Sequence, residues 1–209
     1  MLLYYITDRS QFPGDEISRW RLLLDKIGEA VDCGVDLVQL REKDLSTCRL
    51  EGGAREAVGR VRQRPGGKTR LLINSRSDVA LACGADGVHL RSDDVSAREA
   101  RLIWPGVPAQ RPPVIGVSCH SPAEVEHARV AGADFVVLGP VFEKKNASAA
   151  GLGLPALRRA CESPIPVLAL GGVTLENARA CVDAGAAGVA AIRLFQENDI
   201  AEVARRLRD

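Results

Sequence analysis

Val35-Asp36-Leu37-Val38-Gln39-Leu40-Arg41-Glu42-Lys43-Asp44 holds an apolar run, Val35 to Leu40, that ends abruptly in alternating charge. Such a run reads as a buried strand whose C-terminal end opens into a polar site. Arg41 and Lys43 stand two apart, so in an extended chain they project to one face. Two cations at a strand end suit a phosphate or pyrophosphate. The alternative is a solvated charge cluster, because charged strand ends are common. The residues just before the run settle the fold, and the fold bears on that choice.

Cys33-Gly34-Val35-Asp36 has near copies in Cys83-Gly84-Ala85-Asp86, Ala131-Gly132-Ala133-Asp134 and Ala184-Gly185-Ala186-Ala187. Each copy precedes an apolar run, and the spacing of about 50 residues matches two βα units per repeat. Four repeats give eight strands, expected at Leu2–Ile6, Val35–Leu40, Leu71–Ile73, Gly87–Leu90, Val114–Val117, Phe135–Leu138, Val167–Leu170 and Val189–Ile192. Helical patterns alternate with them. Asp15 and Ser18 start a helix carrying Ile17, Leu22, Leu23, Ile27 and Ala30 on one side, and Gly34 stops it. A helix near Ser46 is interrupted at Gly52-Gly53, Ser121 with Glu124 forms a capping box, and Thr174 with Asn177 opens a further helix. Arg64 to Gly67 and Pro105 to Pro113 are loops. Eight strands alternating with eight helical patterns predict an α/β fold, a (β/α)8 TIM barrel with a parallel eight-stranded barrel, as one domain over 1–209. A doubly wound open sheet is the second choice and explains the repeat less well.

The chain has 209 residues, 46% hydrophobic and 26% charged, ordinary for a globular protein. A net charge of +1 gives no global field toward nucleic acid or an anionic membrane. The six cysteines are scattered, with no C-x-x-C pair, so neither a zinc site nor a disulfide framework is expected. The start lacks a signal-peptide pattern and no apolar run approaches membrane-spanning length, so a reduced, cytoplasmic protein is expected.

Barrels of this kind carry their sites at the C-terminal ends of the strands. That rule collects Thr7 and Asp8; Gln39, Arg41 and Lys43; Asn74 and Arg76; His89, Asp93 and Asp94; Ser118 and His120; Gly139; Gly171 and Gly172; and Arg193. The Gly171-Gly172 pair leaves backbone N–H groups open to a phosphate. Aspartates near bound phosphates suit Mg2+, which takes few carboxylates plus ligand oxygens. A small phosphorylated ligand is expected, with neither nucleic acid nor membrane as partner. His89 lies inside a strand pattern and reads equally as a hydrogen-bonded core histidine or a ligand contact. His120, just past a strand end, reads as ligand-facing, because histidine moves protons near neutral pH. Asp36, Asp86 and Asp134 precede strands at the opposite end and read as structural. Lys144 and Lys145 are a solvated loop tip or a phosphate clamp, and the final run Arg205 to Asp209 is a solvated helix end.

Tyr5-Ile6-Thr7-Asp8, Val38–Asp44, Leu72-Ile73-Asn74, Gly84–Leu90, Gly116–Ser121, Gly132–Phe142, Ile165–Val173 and Gly185–Val189 together resemble, in order, the thiamine phosphate synthase/TenI superfamily. The synthase joins a hydroxymethylpyrimidine pyrophosphate to a thiazole phosphate and releases pyrophosphate. The resemblance implies that Gln39, Arg41, Lys43 and Asn74 face the pyrimidine and its pyrophosphate; His89 stays a substrate-binding candidate from its strand position alone. It implies that Asp94 is one Mg2+ ligand and that Ser118 lines the pyrimidine pocket. Gly172 and the backbone around Ile192 and Arg193 would hold the thiazole phosphate. TenI-like thiazole tautomerases share the thiazole phosphate site, need no Mg2+, and use the histidine of the Ser-x-His-Ser turn, His120 here, as general acid/base. A homo-oligomer, often a dimer, is implied as well.

Three positions depart from the synthase pattern. Ser75 stands where a second Mg2+ carboxylate is expected, Lys144-Lys145-Asn146-Ala147 replaces a Thr-x-Thr-Lys loop, and Arg193 replaces a serine. Losing a metal carboxylate and two hydroxyl donors should cost several kcal/mol in a charge-driven transition state. The departures favour a tautomerase over the synthase. A non-catalytic or repurposed barrel binding another phosphate ligand is the third expectation.

Overall fold

The computed structural model describes residues 1–63, 67–104, 112–143 and 150–209. The expected loops around 64–67 and 105–113 fall mostly, and Lys144 to Ala147 wholly, outside the described residues. Eight parallel strands close into a barrel in sequence order, β1 (Leu2–Ile6), β2 (Leu37–Leu40), β3 (Arg70–Asn74), β4 (Gly87–Leu90), β5 (Val114–Cys119), β6 (Phe135–Leu138), β7 (Val167–Leu170) and β8 (Gly188–Ala191), with β8 paired to β1. The helices α1 (Glu16–Asp32), α2 (Thr47–Arg62), α3 (Ser77–Cys83), α4 (Ala97–Leu102), α5 (Pro122–Val130), α6 (Gly153–Ala160), α7 (Ala178–Asp183), α8 (Arg193–Gln196) and α9 (Ile200–Arg208) surround it. The expected barrel is present. Among the described residues no helix is long and apolar enough to cross a membrane.

The side-chain period of two builds two layers. Tyr4, Ile6, Leu37, Leu72, Phe135, Val137, Leu168 and Ala190 fill the barrel interior. Their neighbours Leu3, Tyr5, Val38, Leu71, Ile73, Val136 and Val189 face the helices. Continuing the inward series toward the strand ends gives Gln39 after Leu37, Asn74 after Leu72, and Ser118 after Gly116. The polar layer thus sits directly above an apolar one.

The repeat aspartates are structural, as expected. Asp36, Asp86 and Asp134 accept the backbone N–H of Leu3, Leu71 and Ile115, at 2.8, 2.9 and 2.7 Å, and so tie each strand start to the preceding strand. Arg208, Arg70 and Arg101 meet the same carboxylates.

Several local expectations are corrected. Helix α2 runs unbroken through Gly52-Gly53. A Cβ on Gly53 would lie 2.2 Å from the Trp20 ring, so this glycine lets α1 and α2 approach instead of ending the helix. Ile17 is 82% exposed, and α1 instead buries Leu23, Leu24, Ile27, Ala30 and Val31. Strand β2 begins at Leu37, β5 continues to Cys119, and β8 ends at Ala191. Helix α7 starts only at Ala178, because the Asn177 side chain is spent on the Thr174 N–H and the Gly172 carbonyl. Ser121 caps α5 as expected, accepting the Glu124 N–H at 3.2 Å, but Glu124 reaches back to the N–H of His120, one residue before the cap. The four-residue helix α8 was not anticipated.

Candidate functional site

At the strand ends β1, β2, β4 and β5 contribute one buried chain of hydrogen bonds. The Gln39 amide donates to the Tyr4 hydroxyl at 2.9 Å, Tyr4 Oη lies 3.1 Å from His89 Nδ1, and His89 Nε2 lies 2.9 Å from Ser118 Oγ. Burial pulls the His89 pKa down to about 3 and pushes the Tyr4 hydroxyl well above its usual range. His89 is therefore neutral at physiological pH and carries one ring proton. Both ring nitrogens are engaged, Nδ1 at the Tyr4 hydroxyl and Nε2 at the Ser118 hydroxyl, and the tautomer sets which of the two contacts the ring donates. His89 is 2% exposed and hydrogen-bonded inside the barrel, as the core reading has it. Tyr4 was missed, because an aromatic in the middle of an apolar strand carries no polar signal in sequence. Its ring packs edge-on against Phe135, with centroids 5.5 Å apart.

Around this chain stand the charged candidates. Arg41 is half-buried, donates its backbone N–H to Thr7 Oγ1 at 2.9 Å, and has no side-chain ion pair among the described residues. It lies close enough to His89 to oppose protonation there. Lys43 is exposed. Glu42, between them, is buried and accepts from Thr7 and Arg9; desolvation is the main reason its carboxyl is raised above the usual range. Asn74 donates to Ser75 Oγ at 3.3 Å, and Ser75 holds a left-handed backbone, φ 59°. Arg76 is turned outward onto Asp78 and Thr47, so the structure removes it from the mouth.

Asp94 Oδ2 accepts from the Arg91 N–H at 2.8 Å, and its Oδ1 lies 3.5 Å from Arg91 Nε. Among the described residues no group of three His, Cys, Asp or Glu side chains is placed to hold a metal. With Ser75 bonded to Asn74, Asp94 is the one carboxylate among the expected Mg2+ ligands. This donor set fits a Mg2+ carried in on a pyrophosphate, which supplies oxygens itself, and does not fit a resident ion in a protein cage.

His120 is exposed, and its Nδ1 donates to the Gly139 carbonyl at 2.7 Å. In the neutral ring this leaves Nε2 as an acceptor. The geometry allows a proton-transfer role and does not connect His120 to the His89 chain.

The far side of the mouth is built from backbone. Gly171 and Gly172 have φ 94° and 64°, and a Cβ on Gly172 would lie 2.8 Å from Phe142 Cβ and 2.9 Å from the Glu143 carbonyl oxygen. The glycines thus admit the close approach of the chain after β6 at Pro140, Phe142 and Glu143. The N–H groups of Gly172, Val173, Arg193 and Leu194 have no hydrogen-bond acceptor among the described residues. Ile192 is half-buried at the start of α8, and the Arg193 side chain is exposed, outside any ion pair among the described residues. Loops after the seventh and eighth strands, with a short extra helix, are where such barrels frequently hold phosphate.

A closed parallel (β/α)8 barrel, with side-chain donors on one side of its mouth and backbone amides on the other, defines the class: a TIM barrel with its candidate site at the strand ends. The family model described as thiamine monophosphate synthase matches residues 3–195, and the chain belongs to that family. A Clostridium novyi protein named thiamine-phosphate synthase is 39% identical over 201 residues, 94% of this chain and 91% of its own length. A Methanoculleus marisnigri protein of the same name is 38% identical over 213 residues, 99% and 93% of the two chains. The solved thiamine phosphate pyrophosphorylase from Pyrococcus furiosus superposes with a TM-score of 0.80 at 31% identity, covering 99% of this chain and 93% of that one.

Proposed function

We propose that this chain is a thiamine-phosphate synthase, joining hydroxymethylpyrimidine pyrophosphate to thiazole phosphate with release of pyrophosphate. The observation that carries the reading is the near full-length likeness to relatives bearing that name. It reverses the preference for a tautomerase drawn from Ser75, Lys144–Ala147 and Arg193. In this reading Ser118 and Gln39 orient the pyrimidine above the Tyr4–Phe135 floor. Arg41 and Lys43 offset the charge of the departing pyrophosphate, and Asn74 donates to it. The amides of Gly172 and of the α8 start hold the thiazole phosphate, which places its ring nitrogen against the pyrimidine methylene as the pyrophosphate leaves. Asp94 would hold a Mg2+ that travels with the pyrophosphate and neutralises part of its charge when bound. The ligand is a small phosphorylated molecule, and a homo-oligomer is part of the proposal.

The Nε2 of His120, without a hydrogen-bond partner among the described residues, favours one second reading, the thiazole tautomerase. Both are tested together by incubating the protein with both substrates and Mg2+ and seeking thiamine phosphate by mass. Product above the no-enzyme control is the expected outcome. Absence of product with thiazole phosphate still bound, and its isomerisation abolished by His120→Asn, would move the assignment to the tautomerase.

A further inference from the structure

The alternating charges Arg41-Glu42-Lys43-Asp44 are sorted by one buried arginine that the strand-end rule passed over. Arg9 is 4% exposed, and all its guanidinium N–H groups are engaged. Nε and Nη2 donate to Glu16 Oε2 at 3.1 and 2.9 Å; Nη1 donates to Glu42 Oε2 at 3.1 Å and Asp44 Oδ1 at 2.6 Å; Nη2 also donates to Asp44 Oδ2 at 2.7 Å. Glu42, its side chain 1% exposed, accepts three hydrogen bonds in all: from the Arg9 backbone N–H at 3.0 Å, the Arg9 guanidinium at 3.1 Å, and the Thr7 hydroxyl at 2.6 Å. The same Thr7 oxygen accepts the Arg41 N–H. An unbroken set of bonds therefore runs from Arg9 through Glu42 and Thr7 to the backbone of Arg41.

The two acids of the stretch are drawn back onto Arg9. A buried charge is held so only when it is paired and its hydrogen bonds are met, and here each partner fixes the other. The bidentate fork to Asp44 adds orientation that a point charge would not supply. The turn after β2 is thereby set before any ligand arrives.

We infer that Arg9, acting with Glu42, is a positioning residue for the pyrophosphate half of the site: it sets the turn that presents Arg41 and Lys43. This rests on the synthase reading. Among the described residues the Arg9 guanidinium bonds Glu16, Glu42 and Asp44, and the path toward the β8–α8 side runs only through the backbone of the neighbouring Asp8 to Gln196, so its loss should weigh far more on one ligand than on the other.

The test is calorimetric titration with inorganic pyrophosphate plus Mg2+, and separately with thiazole phosphate, on wild type, Arg9→Met and Asp44→Asn. Arg9→Met should weaken pyrophosphate at least about 10-fold and leave thiazole phosphate within about 2-fold, and the KM values of the two substrates should split alike. Asp44 is 69% exposed on its side chain, so Asp44→Asn keeps the fold and should lose about 2–4-fold for pyrophosphate alone. If Arg9→Met does not fold, Asp44→Asn decides. Unchanged pyrophosphate affinity, or an equal loss for both ligands, overturns the inference while the synthase reading stands. Failure of wild type to bind pyrophosphate overturns both.

Discussion

The β1–β5 side and the β7–β8 side of the same mouth are built by opposite means. On the first, side chains from four strands meet in a buried polar chain, Gln39–Tyr4–His89–Ser118, beside the Arg9–Glu42–Asp44 cluster. On the second, two glycines with positive φ and the start of α8 offer backbone amides and, among the described residues, almost no side-chain chemistry. Side-chain sites can discriminate a ring by donor and acceptor pattern, because a mismatch leaves a buried group unpaired. Backbone sites hold a phosphate whatever carries it. The difference teaches that the first side should set specificity and the second should set anchoring.

Gly172→Val should break the contrast most severely. A β-branched residue at φ 64° is strained, and its Cβ would meet Phe142 and the Glu143 carbonyl. Thiazole phosphate affinity should fall at least about 100-fold, with pyrophosphate affinity within about 2-fold by calorimetry. Equal losses would show that the two sides are not separable.

His89→Gln probes the other side through pH. The His89 pKa is depressed in the folded protein, from 6.5 to about 3, so the neutral ring stabilises the fold above pH 6.5. That contribution is lost as pH falls from 6.5 toward 3 and amounts to about 3 kcal/mol between pH 7 and pH 4. Carboxylates held low by partners, such as Asp44 by Arg9, lose stability in the same direction, so the comparison of variant with wild type isolates the histidine. Urea unfolding at both pH values should show a shallower pH dependence in His89→Gln; identical dependence would remove the neutral, buried histidine from the account.

Arg193→Ala should do least. Its side chain is exposed and outside any ion pair among the described residues, so if amides do the anchoring, thiazole phosphate affinity changes less than about 3-fold. A larger loss would mean that the replaced serine position has become a side-chain phosphate ligand.

Much of this was legible in the chain. The Gly-x-Asp repeat announced paired βα units, and the structure shows why: each aspartate closes a strand start onto its neighbour. The strand-end rule collected Gln39, Asn74 and Ser118, and the structure puts them in one inward layer above the barrel's apolar filling. Where reading failed, a residue's local habit was overridden by a distant partner. Gly52-Gly53 looked like a helix break because glycine is a poor helix former, but Trp20 requires the missing side chain at Gly53. Ile17 looked like core because periodicity does not say where the covered face begins.

Short-range physics thus determined the barrel, its order and the ring of strand ends, since period, caps and glycines act within a few residues. Only the tertiary structure decided which of those residues work together. Tyr4 and His89 are 85 positions apart, and Arg9 and Glu42 are 33. Their pairing depends on burial, which makes an unmet donor or charge costly, and burial exists only once the strands have closed.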